Sequence, residues 1–125
     1  MKQIFSLCIV LLALSLNEEA MSQVDRSADR GVRLVSFDGN FANDKVFLEW
    51  VIVKNETADR FEVERSIDAI HFTTAALVFT SEKLDSETYM FYERPGTRKI
   101  YYRLKMYSKS RSITYSSILS FAKKG

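Results

Sequence analysis

"FEVERSIDAIHF", residues 61–72, alternates aromatic and aliphatic residues with acids and a base. Successive side chains of a strand point to opposite faces, so Phe61 and Val63 fall on one side and Glu62 and Glu64 on the other. That period marks a strand with one face buried and one face wet. The charged side then needs a reason: a pair of catalytic carboxylates, a binding surface, or the solvated face of a sheet.

The same alternation recurs along most of the chain. Candidate strands are 32–37 (VRLVSF), 45–53 (KVFLEWVIV), 60–66 (RFEVERS), 71–79 (HFTTAALVF), 87–93 (ETYMFYE), 99–107 (KIYYRLKMY) and 112–121 (SITYSSILSF). Between them lie "DGNFAND", "KNETAD", "SIDAI", "SEKLD", "RPGTR" and "SKSR", dominated by residues that adopt or cap turns. Seven short strands at this spacing suggest an all-β sandwich or barrel. No useful length of helix, internal repeat or low-complexity tract is visible.

Alternation also assigns the core. Val46, Leu48, Trp50 and Ile52 share one face, as do Phe61 and Val63, Tyr89 and Phe91, and Tyr102, Leu104 and Met106. The outward set on the sixth strand is Tyr101, Arg103, Lys105 and Tyr107. If the third and sixth strands are neighbours, Glu62 and Glu64 face Arg103 and Lys105 across the ladder. Such pairs contribute roughly 0.2–1 kcal/mol each and fix the register. Solvated charge is the preferred reading of the opening stretch.

The N-terminus reads as processing signal. Lys2, an apolar run from Ile4 to Leu16, and small residues at Ala20 and Ser22 fit a secretory signal peptide over 1–22. The run is shorter than the roughly 18–20 apolar residues of a membrane span, so no stable membrane insertion is expected after cleavage. Residues 23–31 are read as a flexible leader, 32–121 as the β-sandwich and 122–125 as a polar tail. Lys2, Glu18, Glu19 and the single cysteine, Cys8, leave with the signal, so 17 of 18 basic and 14 of 16 acidic residues remain, a balance of +3. That charge is too small and scattered for nucleic acid. Without cysteine, an exported domain of this size must stand on its hydrophobic core. The expected destination is periplasmic or extracellular.

"LVSF" (34–37), Val46-x-Leu48-x-Trp50, "FEVERS" (61–66), Phe72, Tyr89-x-Phe91, "YYRLK" (101–105) and "YSSILSF" (115–121) occur in that order. The succession resembles the fibronectin type III-like (immunoglobulin-like) domains of secreted Bacteroidetes proteins, of the kind often found upstream of type IX secretion sorting domains. The resemblance spans residues 32–121. Four places depart from the family pattern: Asn55 and Glu56 where an acid usually follows the Trp, Asp68-Ala69 for Asp-Gly, Glu93 for Asp, and "SKSRS" for a Gly-containing hairpin. The resemblance implies an all-β, seven-stranded antiparallel immunoglobulin/fibronectin type III-like sandwich that serves as a structural or binding module, and it brings no catalytic residues. Usually an appendage, the module is expected to make up nearly the whole mature chain here.

Candidates for chemistry are few. His71 is the only histidine and has no ligand spacing around it, so neither metal nor cofactor is expected. Glu62 and Glu64 stand about 7 Å apart by strand rise, a separation glycosidases use, but a glycosidase needs a cleft and one dry acid. No serine sits in a G-x-S-x-G context, and four glycines form no phosphate loop. "NET" (55–57) is a glycosylation sequon by pattern alone.

Two surfaces remain. Phe47 and Val51 of the second strand, with Met90 and Tyr92 of the fifth, are expected to form an outward apolar patch for an envelope or secreted protein partner. Tyr101, Tyr107 and Tyr115 are the alternative, a tyrosine face for polysaccharide. The sequence thus points to a non-enzymatic interaction module, with a carbohydrate-binding module as runner-up.

Overall fold

A computed structural model describes residues 31–123 of the chain. The signal peptide expected over 1–22, and the leader except Gly31, lie outside the described residues. The alternating segments form eight strands: β1 (Arg33–Ala42), β2 (Lys45–Val53), β3 (Ala58–Ser66), β4 (Thr73–Phe79), β5 (Glu87–Glu93), β6 (Lys99–Ser108), β7 (Ile113–Tyr115) and β8 (Leu119–Ala122). One 3-10 turn, Asn55–Thr57, follows β2, and no α-helix occurs among the described residues. The strands pair antiparallel into a three-stranded sheet, β1-β2-β5, and a five-stranded sheet, β4-β3-β6-β7, in which β8 also pairs with β6.

The inward faces follow the alternation. Val46, Leu48, Trp50 and Ile52 of β2 are all but inaccessible, as are Phe61 and Val63 of β3 and Tyr102 and Leu104 of β6. Trp50 is the hub. Its ring stacks on Tyr89 at 5.8 Å within one sheet and meets Phe61 of the other sheet edge-on at 5.7 Å. The Phe61 and Tyr89 rings close the triangle at 4.9 Å. Aromatic pairs in these geometries add about 0.5–1.5 kcal/mol beyond the area they bury. The indole Nε1 has no hydrogen-bond partner, so Trp50 stabilises the sheets by packing alone.

Three sequence boundaries shift, each for a local reason. "DGNFAND", expected as a loop, is mostly strand: β1 stays in register with β2 to the Ala42–Lys45 pair, leaving Asn43 and Asp44 as a two-residue turn. Both have positive φ, 52° and 62°, as a type I′ hairpin requires. Gly39 inside β1 is a close-approach residue, because a Cβ there would lie 2.6 Å from the Phe47 carbonyl oxygen and 2.8 Å from the Phe121 ring.

The second shift divides the expected seventh strand into two. Tyr115 pairs with Lys105 and Leu119 with Tyr102, so four residues on one strand span three on the other. Ser116 takes up the slack: its hydroxyl accepts the Leu104 N–H at 2.8 Å while its own N–H donates to the Leu104 carbonyl at 3.0 Å. One extra residue reverses the sidedness, so Tyr115 faces out while Leu119 and Phe121 pack inward. The third shift is at the expected polar tail, which starts later than Ala122. That residue pairs with Lys99, and the Lys123 N–H donates to the Arg98 carbonyl at 2.7 Å. Residues 124–125 lie outside the described residues.

Trp50→Ala is expected to cost about 3–5 kcal/mol, the range for deleting a buried large aromatic. Urea denaturation of the variant measures it, and a loss below about 1 kcal/mol would mean the ring is not holding the two sheets together.

Candidate functional site

The outer face of the three-stranded sheet carries the expected apolar set. β2 and β5 pair without irregularity, with Phe47 opposite Tyr92, Glu49 opposite Met90 and Val51 opposite Thr88. The Phe47 and Tyr92 rings stack at 5.9 Å with 28° between their planes, and Lys45 Nζ lies 5.3 Å from the Tyr92 centroid. Met90 and Tyr92 are 67% and 63% exposed, while Phe47 and Val51 are half-buried. Exposed Glu49 stands between Phe47 and Val51 along β2. Phe47, Tyr92 and Met90 are therefore contiguous, and Val51 joins them only on the diagonal to Met90. A shallow groove of about 320 Å3 beside them is bounded by Asp38, Asn40 and Glu49.

The outer face of the five-stranded sheet is built differently. Glu64 lies opposite Arg103 and Glu62 opposite Lys105, the pairing that opposite charge at this spacing calls for. Arg103 Nε donates to Glu64 Oε1 at 2.8 Å, and its guanidinium carbon rests 4.0 Å from the Phe72 centroid and 4.5 Å from that of Tyr115. Tyr107 donates to Glu62 Oε1 at 3.1 Å while Arg60 covers its ring at 3.9 Å. Lys105 sits between Tyr107 and Tyr115, 5.3 and 6.0 Å from their centroids. Tyr101 stands apart, with Lys99 5.4 Å from its centroid and Ser120 as its cross-strand partner. Each ring of the candidate sugar face thus already has a cation against it. Both carboxylates are engaged, but Glu64 is only 8% exposed where Arg103 holds it, so the solvated reading of the opening stretch holds for Glu62 and not for Glu64.

One constellation escaped the sequence reading. Ser66, Asp68 and His71 meet in the β3–β4 loop: the Ser66 hydroxyl donates to Asp68 Oδ1 at 2.8 Å, and His71 Nδ1 lies 2.7 Å from Asp68 Oδ2. The "S-I-D-A-I-H" spacing held the signal, since an Asp with hydroxyl and imidazole within three residues can cap its own turn. The order of bonds is wrong for nucleophilic catalysis. Activation needs the serine hydroxyl on the imidazole, whereas here the hydroxyl points at the carboxylate. Asp68 Oδ1 also accepts the N–H groups of Ile70 and His71, at 2.9 and 2.8 Å, so its work is to fix the loop. His71, first through its ring and then through its N–H, holds the Asp68 carboxyl well below its ordinary 3.8, with Ile70 and Ser66 adding to the effect.

This loop borders an open cleft of about 500 Å3, floored by Ile100 and walled by Arg65, Glu93, Arg94 and Thr97. Its charge is internally matched: Arg65 Nη1 bonds Glu93 Oε2 at 2.8 Å, and Tyr102 donates to Glu93 Oε1 at 2.7 Å. Burial, and then that bond to Glu93, push the Tyr102 hydroxyl far above its ordinary range. Glu93 therefore ties the three-stranded sheet to two strands of the other. Asn55, the sequon residue, is 1% exposed, and its amide nitrogen donates to the carbonyls of Ser81 and Lys83 at 3.1 and 2.6 Å. That side chain is structural and out of reach of modification. Among the described residues no group of three or more His, Cys, Asp or Glu comes together to hold a metal, and no helix is long and apolar enough to cross a membrane.

No protein-family model matches the sequence, and no curated protein matches it. Among solved structures, the chain is similar to a β-1,2-glucanase from Parabacteroides distasonis, with a TM-score of 0.54 and 14% identity. The likeness covers 77% of this chain but 13% of the glucanase chain. At that identity it is a likeness of fold alone.

Two measurements test the loop. A carboxyl whose folded-state pKa is depressed contributes stability that is full above its unfolded value and lost as pH falls through the folded one. The stability gap between wild type and Asp68→Asn should therefore be complete at neutral pH and shrink below about pH 4. A gap that stays constant with pH would remove the charge from the explanation. Second, Ala69 has φ 62°, where a side chain costs roughly 1–2 kcal/mol and glycine costs none of it. Subtracting about 0.4–1 kcal/mol for the added freedom of the unfolded chain, Ala69→Gly should raise stability by about 0.5–1 kcal/mol in urea melts.

Proposed function

We propose that the chain is an exported, non-enzymatic module of fibronectin type III type, acting at the periplasmic or extracellular side of the cell envelope. It recognises another protein through the outer face of its three-stranded sheet. The fold reading is supported by two adjacencies that the resemblance implies, β3 beside β6 and β2 beside β5, with β7 and β8 acting as one interrupted last strand. The export reading rests on the character of residues 1–22.

The observation that carries the binding reading is the contiguity of Phe47, Tyr92 and Met90 on one regular strand pair. On the five-stranded sheet the exposed residues Phe79, Leu77 and Tyr115 each stand opposite a charged one, Arg60, Glu62 and Lys105. On the three-stranded sheet, Tyr92 and Met90 stay about two-thirds exposed beside Phe47. Exposed apolar groups gathered in one place mark contact surfaces more often than scattered ones do. The alternative, a carbohydrate-binding module using Tyr101, Tyr107 and Tyr115, is weaker because a sugar would have to displace Arg60, Lys105 or Arg103 to stack. The activity of the glucanase is not carried over, since the likeness covers a small part of that chain.

The test uses the tagged protein as bait on solubilised cell envelope, beside Val51→Asp/Tyr92→Asp and Tyr107→Ala/Tyr115→Ala variants checked for folding by circular dichroism. A protein retained by wild type and by the tyrosine variant, but lost from the aspartate variant, is the expected result. Retention of polysaccharide alone, lost with Tyr107 and Tyr115, would move the function to the other face.

A further inference from the structure

Each sheet ends in strands whose outer main-chain groups have no ladder partner, and such edges recruit other strands unless something blocks them. Bulges interrupt three of the edges. β1 shifts register between Leu34 and Ser36, β4 gains a residue at Ala75 opposite the Val63–Glu64 step, and the β7–β8 edge breaks at Ser116–Ile118. β1 also packs against β8. The remaining edge is β5, which pairs with β2 over all seven residues in unbroken register and with no other strand.

β5 lacks the other usual blocks as well. "ETYMFYE" has no lysine and no proline, and both of its acids are turned to internal duties. Glu87 accepts the Ser81 hydroxyl at 2.7 Å and Glu93 holds Arg65 and Tyr102. In an antiparallel strand, residues alternate between those that aim both main-chain groups at one neighbour and those that aim them at the other. The Thr88 N–H is taken by the carboxylate of Glu87 at 2.9 Å instead of by β2. Thr88, Met90 and Tyr92 therefore turn their main-chain groups to the open side. Met90 and Tyr92 are also the residues with exposed side chains on the outer face. Main chain and side chain are open at the same two positions.

We infer that β5 is a strand-addition edge whose occupant is a second copy of this chain, paired antiparallel about a two-fold axis at Phe91. The inference rests on the reading that this sheet is the contact surface, and it names the partner. A pairing centred on Phe91 places Met90 against Tyr92 of the other copy in both halves, with their N–H and carbonyl groups bonded reciprocally. The exposed thioether then meets the exposed phenol ring, a favourable sulfur–aromatic contact. Tyr89 falls opposite Glu93, and Thr88 opposite Arg94. Moving the axis to Met90 would instead set Glu87 against Glu93, like charge facing like charge, which destabilises a ladder. The joined sheets would form one six-stranded sheet with the two Phe47–Tyr92 stacks side by side across the seam.

Sedimentation of the full chain at concentrations up to about 500 µM decides the matter, because a single-strand seam is expected to be weak. The expected result is a doubling of mass that Met90→Lys abolishes and Phe79→Lys, on the bulged β4 edge, leaves intact. Amide exchange supplies a second readout independent of any variant's folding: Met90 and Tyr92 should slow at least about tenfold from dilute to concentrated wild type, as newly bonded amides do. A monomer at every concentration overturns the inference, as does a dimer indifferent to Met90→Lys or one that leaves these amides unprotected. A monomer that still captures an envelope protein would end the self-pairing and leave the proposed function standing. A dimer that captures none would do the reverse.

Discussion

Tyr89 joins the two kinds of order in this domain, packed core and ordered loop. Its ring lies between Trp50 and Phe61, so it belongs to the apolar contact between the sheets. Its hydroxyl donates to Asn55 Oδ1 and accepts the N–H of Ser81. Asn55 in turn takes the Ser81 and Lys83 carbonyls, and its own N–H donates to the Asp85 carbonyl at 2.7 Å. The crossing from β4 to β5 is thereby fastened to the end of β2 by a network in which each buried polar atom has a partner. A buried amide without them would cost about 1–3 kcal/mol, so ring, amide and loop stand or fall together. In a domain without a disulfide, this linkage carries order from the core to the surface.

Both outer faces leave apolar groups in solvent, Phe79 and Leu77 on one and Met90 and Tyr92 on the other, but they differ in charge. The five-stranded sheet spends its charges on itself, with Glu64 on Arg103, Glu62 on Tyr107, and guanidinium or ammonium groups on the rings between them. Glu64 is buried, so Arg103 offsets the cost of a charge out of water, while the more exposed contacts of Glu62 mainly hold register. The three-stranded sheet has fewer strands and fewer charges in its centre. Size follows from topology: β4 sits beside β3 and the last strand is split into β7 and β8, which gives one sheet two more strands and leaves β5 at the margin of the other.

The sequence made the periodic parts of this architecture legible. Val46 to Ile52, Phe61 and Val63, and Tyr102 to Met106 are inward where alternation puts them, because a one-residue slip would expose all of them together. The opposition of Glu62 and Glu64 to Lys105 and Arg103 was legible for the same reason. Features that break the period were not. Gly39 resembles a turn residue in composition, yet it stands in a strand because Phe47 and Phe121 leave no room for a side chain. The bulge at Ser116 depends on a hydroxyl replacing a carbonyl, which no apolar pattern records. At the candidate sites, composition identified the exposed residues but not their neighbours. The cations over Tyr107 and Tyr115, and Glu49 between Phe47 and Val51, are set by strand register across the sheet.

The bulge has a consequence for how this chain tolerates change. Between Tyr115 and Leu119 the molecule keeps a reading frame of its own, with an odd residue inserted so that an outward tyrosine and two inward hydrophobics fit on one edge. Loops usually absorb insertions and deletions, but this one sets the phase of everything after it. Losing a single residue there would turn Leu119 and Phe121 to water and bring Ser120 into the core, with Gly39 then facing an empty space where the Phe121 ring had been. The length of this segment is fixed, and so is the Ser116 hydroxyl on which the bulge depends.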